Sequence, residues 1–290
     1  MSDRLAVIGL GRMGAALAAT LLRADYAVTV WNRTPANAQP LVELGARHAA
    51  TAAEAVAGSD IVVICVGNYN DAAEALADCE DLSGKTLVQF STGTAADAET
   101  LQAWAVAKRA RYLDGVIIAY PSDIGGEETV LAVAGSGEAW ERSEAVVKCL
   151  GGASIYTGSR LSAPIALESA MVAPSLMATM GLILGAHNLE RAGLDVGAYA
   201  EMMPGMAPLL TQSLQHQARA IATSDFSNTE AALDTWAAAL NHNTDAFGKH
   251  GDIDLLRPVR ELLNMAVDAG YGNEEISAAI KILRQTSGEE

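Results

Sequence analysis

The hexapeptide Gly9-Leu10-Gly11-Arg12-Met13-Gly14 constrains this chain more than any other feature. It follows a short apolar run, Leu5–Ile8, and opens a helical stretch from Ala15 to Leu22. A GxGxxG pattern alone is weak, because this chain has 26 glycines. Between a strand and a helix it acquires a mechanism. The first glycine permits a tight turn, the second lets a pyrophosphate approach the backbone, and the third lets helix pack on strand. Free amides and the helix dipole then favour the anion. The alternative is an ordinary glycine-rich strand–helix turn.

A pyrophosphate site must be reconciled with the charge of the chain. Nineteen Lys plus Arg stand against 35 Asp plus Glu, a formal net charge of −16. Such a field repels phosphate backbones, and Lys and Arg are scattered singly rather than gathered into a basic stripe, so nucleic acid is not an expected partner. Half the residues are hydrophobic, which suffices for a core and excludes a disordered acidic tail. The second strand candidate, Val28–Trp31, ends in Asn32-Arg33-Thr34-Pro35. An NAD site usually carries Asp or Glu there to hold the ribose 2′-hydroxyl. A carboxylate would repel a 2′-phosphate, whereas Arg33 can pair with it. Thr34 before Pro35 also reads as a helix N-cap. The expected cofactor is NADPH, the alternative being a solvated arginine in a turn. Gly9 to Gly14, Asn32, Arg33 and Thr34 are the expected cofactor residues. Cys65 and Val66, ending the apolar run Asp60–Val66, join them with Ser91 and Thr92, just past the run Thr86–Phe90.

The first half alternates these runs with helical stretches. Further strands are expected at Tyr112–Ile118 and Thr129–Ala134, and helices at Ala95–Lys108 and Ala139–Leu150. This alternation implies a doubly wound, mostly parallel α/β sheet. After Gly158 no strand is expected. Helices are expected over 161–191, 207–222, 229–249, 258–269 and 274–283, the third capped by Thr229, with Leu233, Trp236, Leu240 and Phe247 on its apolar face. The expected division is a Rossmann-type domain over 1–160, an interdomain helix over 161–192 and a helical domain over 193–290. The stretch 165–186 is apolar enough to raise a membrane span. Glu168 and Pro174 inside it favour a buried helix of a bundle.

At this point the residues resemble a family. GLGRMG at Gly9–Gly14, VWNRTP at Val30–Pro35 and LVQFSTGT at Leu87–Thr94 are similar to the β-hydroxyacid dehydrogenase superfamily, whose fold is 6-phosphogluconate dehydrogenase-like. Tyr112–Pro121 and Ala269–Gly272 narrow the resemblance to the NADPH-dependent imine reductases and reductive aminases. That resemblance implies an oxidoreductase transferring hydride to C=N bonds, with reductive amination of ketones a possible extension. It implies a domain-exchanged homodimer, each site lying between one subunit's sheet domain and the partner's helices. The small residues of 173–186 permit close helix approach in such an assembly.

Departures from the pattern are equally informative. The superfamily's hydroxyacid dehydrogenases carry a catalytic lysine on the long helix; here the matching position is Glu168, and no lysine lies between Lys148 and Lys249. Their serine-glycine-glycine loop is replaced by Ile117–Pro121. A carboxylate favours a cationic substrate such as an iminium. The position two turns beyond Glu168, where relatives often place Tyr or Asp, holds Leu176, and Thr92 stands where reductive aminases place Asn. The expected catalytic residues are Glu168, Tyr120 and Thr92. The alternatives for Glu168 are a salt-bridged structural role or a solvent-facing position at the helix start, and Tyr120 is either a pocket or a packing residue. Trp236, Met202, Met203 and Met206 either shape an apolar pocket or belong to the core. His242 is a polar pocket group or a satisfied surface residue.

No histidine or acid spacing matches a metal site, so no metal is expected. Three cysteines, Cys65, Cys79 and Cys149, without a CxxC pair suggest a reduced intracellular chain, and no signal segment is apparent, so a cytoplasmic location is expected. Two other functions stay open: a carbonyl dehydrogenase, disfavoured by the missing lysine, and a catalytically silent NADPH-binding protein, kept open by Leu176.

Overall fold

The computed structural model describes residues 3–244, 249–250 and 253–287. The chain divides into two compact units, Met1–Ser175 and Leu176–Glu290.

The first unit is built on an eight-stranded sheet. In chain order its elements are β1 (Arg4–Ile8), α1 (Arg12–Arg23), β2 (Ala27–Trp31), α2 (Gln39–Glu43), β3 (Arg47–His48), α3 (Ala52–Ala57), β4 (Ile61–Ile64), α4 (Tyr69–Leu76), β5 (Thr86–Gln89), α5 (Ala95–Ala107), β6 (Arg111–Ile118), β7 (Val130–Gly135), α6 (Gly137–Leu150) and β8 (Ile155–Tyr156). The strand order is β3-β2-β1-β4-β5-β6-β7-β8, and every pair is parallel except β6–β7. The order reverses between β1 and β4, and a crevice opens there outside the strand C-termini. Both faces are buried, which is why β4 reads Ile-Val-Val-Ile without alternation. On β1, Leu5 and Val7 enter one core while Ala6 and Ile8 enter the other. Each fully buried leucine of this kind contributes about 2 kcal/mol.

Two helix starts fix the loops around the crevice. Asn68 Oδ1 accepts the Asp71 amide at 2.9 Å and caps α4. Thr94 Oγ1 accepts the Asp97 amide while Asp97 Oδ2 accepts the Thr94 amide, a reciprocal pair that starts α5 just past the turn after β5. The short elements α2, α3, α4, β3 and β8 escaped the sequence pattern.

From residue 162 onward come α7 (Ser162–Arg191), α8 (Val196–Thr223), α9 (Leu233–His242), β9 (Lys249–His250), β10 (Ile253–Asp254), α10 (Arg257–Ala266) and α11 (Ile280–Ser287). Four expectations need correction. Strands do occur after Gly158, as the two-residue antiparallel pair β9–β10. Helix α8 begins eleven residues before 207, since Asp195 caps its first amides and Pro204 and Pro208 interrupt single hydrogen bonds without ending it. Helix α9 starts at Leu233, because the Thr229 hydroxyl closes a local turn by accepting the Ala231 amide instead of capping a helix. It ends at His242, and Phe247 lies outside the described residues. Lastly, α7 is not a buried bundle helix within one chain. It is long and apolar enough to cross a membrane, yet only 6% of its most apolar window is buried.

A compact core in the second unit gathers Phe226, Leu233, Ala237, Leu263 and Ile282. Trp236 stays outside it, half exposed.

Candidate active site

The turn after β1 is dictated by backbone approach. Gly9 has φ +95°, and a Cβ there would lie 2.3 Å from the Cys65 carbonyl oxygen. A Cβ on Gly14 would lie 2.1 Å from the Gly9 carbonyl oxygen. Around Gly11 there is open space, so a ligand can reach the amides at the start of α1. Asn32 ties this turn to the end of β2: its Oδ1 accepts the Leu10 amide at 2.8 Å, and its Nδ2 donates to the Thr34 carbonyl at 3.0 Å. Leu10 itself is a core residue, 4% exposed.

An outer cavity of about 600 Å³ lies over this turn, lined by Gly11, Arg12, Asn32, Arg33, Thr34 and neighbours. Arg33 is exposed and stands 3.6 Å from Asp71, an acid that also lines the cavity. Thr34 occupies the N-cap position of a short helical turn, Pro35–Ala38, but its hydroxyl makes no capping bond. Thr34 and Arg33 line the same cavity. The glycine cradle, the open second glycine and Arg33 fit a dinucleotide bearing a 2′-phosphate.

An inner cavity of about 260 Å³ shares Met13, Cys65 and Val66 with the outer one. Ser91, Thr92, Ile117 and Glu168 line it, together with Tyr69. Glu168 is half-buried and makes no hydrogen bond or ion pair among the described residues, so its salt-bridged alternative is not what the structure shows. The Ser91 hydroxyl is already committed: it accepts the Val66 amide at 3.0 Å and donates to Gln89 Oε1 at 3.0 Å. Thr92 is exposed to the cavity with no such commitment. Burial pushes the Cys65 thiol up to about 11, so it stays neutral.

Tyr120 is not brought here. It is 76% exposed, at the start of a short turn where Asp123 accepts its amide. Met202 and Met206 are exposed on α8, and His242 Nδ1 pairs with the Ala238 carbonyl on its own helix.

Sequence reasoning missed the polar cluster behind Tyr69, which lines the inner cavity. Tyr69 Oη donates to Asp114 Oδ1 at 2.6 Å, and Tyr112 Oη donates to the same oxygen at 2.9 Å. Asp114 is fully buried, and burial, offset in part by the two hydroxyls, pushes its carboxyl up to about 6. Burial and the adjacent carboxylate push both phenols well above their ordinary range. The available signal was a single acid, Asp114, inside the otherwise uncharged run Tyr112–Ile118.

The doubly wound sheet, the glycine turn at its switch point and the two joined cavities define a dinucleotide-binding α/β protein with a second, helical part. Residues 4–158 match the NAD binding domain of 6-phosphogluconate dehydrogenase, and residues 168–285 match the C-terminal domain of NADPH-dependent reductive aminase-like proteins. An NADPH-dependent reductive aminase from Aspergillus oryzae is 32% identical over 98% of both chains. An imine reductase from a Pseudomonas species superposes with a TM-score of 0.86 at 31% identity, covering 98% of this chain and all of that one. A reductive aminase from Aspergillus terreus, solved with NADPH and ethyl-5-oxohexanoate, gives 0.89 at 29% identity over 98% and 100% of the two chains. The chain belongs to the imine reductase and reductive aminase family.

Proposed function

We propose that this protein is an NADPH-dependent oxidoreductase that reduces C=N bonds of imines or iminium ions to amines. One observation carries the reading: Glu168, with no ion-pair partner among the described residues, lines a small cavity that shares a wall with the dinucleotide cleft. NADPH, when bound, supplies the hydride. Gly9, Gly11 and Gly14 admit its pyrophosphate, and Arg33 with Thr34 holds the 2′-phosphate and selects against NADH. Glu168 stabilises positive charge on the substrate nitrogen or delivers its proton, and Thr92 offers a hydroxyl at the cavity wall. A carboxylate at this position favours a cationic iminium over a neutral carbonyl or an anionic hydroxyacid, which favours imine reduction over hydroxyacid oxidation.

Monitoring NADPH oxidation with 1-pyrroline or a 2-substituted analogue tests the reading. Turnover with the imine and none with β-hydroxyacids is the expected result. Tight NADPH binding without any turnover would instead identify a catalytically silent protein.

We also infer that the chain works as a homodimer. Leu176, Met177 and Ile183 on α7, and Met202, Leu209 and Leu210 on α8, are about half exposed or more. A second copy covering them accounts for an apolar surface that a monomer would leave wet. Light scattering at micromolar concentration should give twice the 30.1 kDa chain mass.

A further inference from the structure

Beneath the inner cavity lies a set of buried polar side chains that the proposed chemistry does not use. We propose that Asp114 is a positioning residue for this site, acting through the Tyr69 hydroxyl to hold the Ser91–Gly93 turn against the cavity in which Glu168 stands. The inference rests on the imine-reducing reading of that cavity.

The geometry runs from the carboxylate to the cavity wall in two contacts. Asp114 Oδ1 receives the Tyr69 hydroxyl at 2.6 Å. The Tyr69 ring in turn lies against Gly93: a Cβ there would sit 2.2 Å from a ring carbon and 3.2 Å from Asp97 Oδ2. Gly93 therefore cannot shift toward α4 unless Tyr69 moves. Tyr69, Thr92, Gly93 and Glu168 line one cavity, so a displaced ring reshapes the wall that faces the substrate. From the sheet side, Gln89 Oε1 accepts both the amide and the hydroxyl of Ser91, at 3.2 and 3.0 Å. Gln89 and Asp114 are register partners on β5 and β6, and each keeps one buried polar atom, Nε2 and Oδ2, without a partner. Both strands thus spend a buried polar residue on the same turn, at a desolvation cost that an apolar pair would not incur.

The hold depends on charge. An ionised carboxylate accepts both hydroxyls on Oδ1 through charge-assisted bonds; a proton on the unpartnered Oδ2 removes the charge and weakens both. The groups facing this cluster are Tyr69 from α4, Tyr112 and Asp114 itself on β6, and, through Tyr69, Asp97 from α5 and Glu168 from α7. Its carboxyl titrates near 6, so imine turnover falls as pH drops through that value.

The test is a set of pH profiles for kcat/KM with a single cyclic imine, whose own protonation is common to every variant. Asp114→Asn should abolish the enzyme's acid limb and lower turnover about tenfold or more at pH 8, with the NADPH dissociation constant unmoved. Tyr69→Phe should cost a similar factor, and the double variant no more than either alone, because both break one connection. Tyr112→Phe removes a hydrogen bond that stabilises the Asp114 charge, so its acid limb should move to higher pH. A merely structural role lowers thermal stability without moving that limb. Should Asp114→Asn fail to fold, Tyr112→Phe still decides. An unmoved limb, or multiplicative losses in the double variant, overturns the proposal alone. Wild-type protein that binds NADPH yet turns over no imine overturns it together with the function it rests on.

Discussion

The two joined cavities are built by different means. The outer one is made by backbone: glycines at positions 9, 11 and 14 set its shape, and a Cβ at two of them would collide with a carbonyl oxygen. The inner one is made by side chains from α1, α4, β6, α7 and the loops after β4 and β5, with Tyr69 hydrogen-bonded behind the wall to Asp114, which Tyr112 also bonds. A backbone site is written locally, in six consecutive residues. A side-chain site is written across a hundred residues and exists only once the sheet has formed.

If that contrast is right, the largest effect should come from the outer cavity's backbone. Gly14→Ala is expected to weaken NADPH binding about a thousandfold by calorimetric titration, since the Gly9 carbonyl cannot retreat. Near-normal affinity would break the comparison at once. The inner cavity should show its cost in stability instead. The Asp114 carboxyl rises from 3.8 unfolded to about 6 folded, which corresponds to about 3 kcal/mol. The folded state then prefers the proton, so the penalty is absent below pH 4, grows as pH rises, and is complete above 6. Urea unfolding at pH 4 and pH 7 should show wild type losing about that much relative to Asp114→Asn; parallel curves would mean the buried charge is compensated. Next comes Glu168→Gln, expected to lower kcat/KM for the imine about a hundredfold while leaving NADPH affinity intact. Loss of cofactor binding in that variant would show that the cavities are not separable. The smallest effect belongs to an exposed side chain of the outer cavity: Arg33→Ala should cost about tenfold in KM for NADPH and little for NADH.

The same contrast explains what was legible beforehand. The glycine turn, the Asn32-Arg33-Thr34 exchange and the apolar β4 all act through neighbours in sequence, and the six expected strands lie within a residue or two of the observed ones, whereas the two-residue strands β3, β8, β9 and β10 carry no such pattern. Glu168 was found only through resemblance. The meaning of Tyr69 comes from Gly93 and Asp114, far along the chain, and Tyr120 stands in a solvent-facing turn of the single chain. The long helix α7 was misjudged for another reason. Its apolar composition demands burial, but the atoms that bury it need not belong to the same chain.

Met13, Cys65 and Val66 form a wall common to both cavities. A ligand in the smaller space therefore meets a surface that the dinucleotide has already touched and set. Ordered binding, nucleotide first and last, is the expectation this shared wall raises. Oxidised nucleotide is then expected to compete with NADPH but not with the imine.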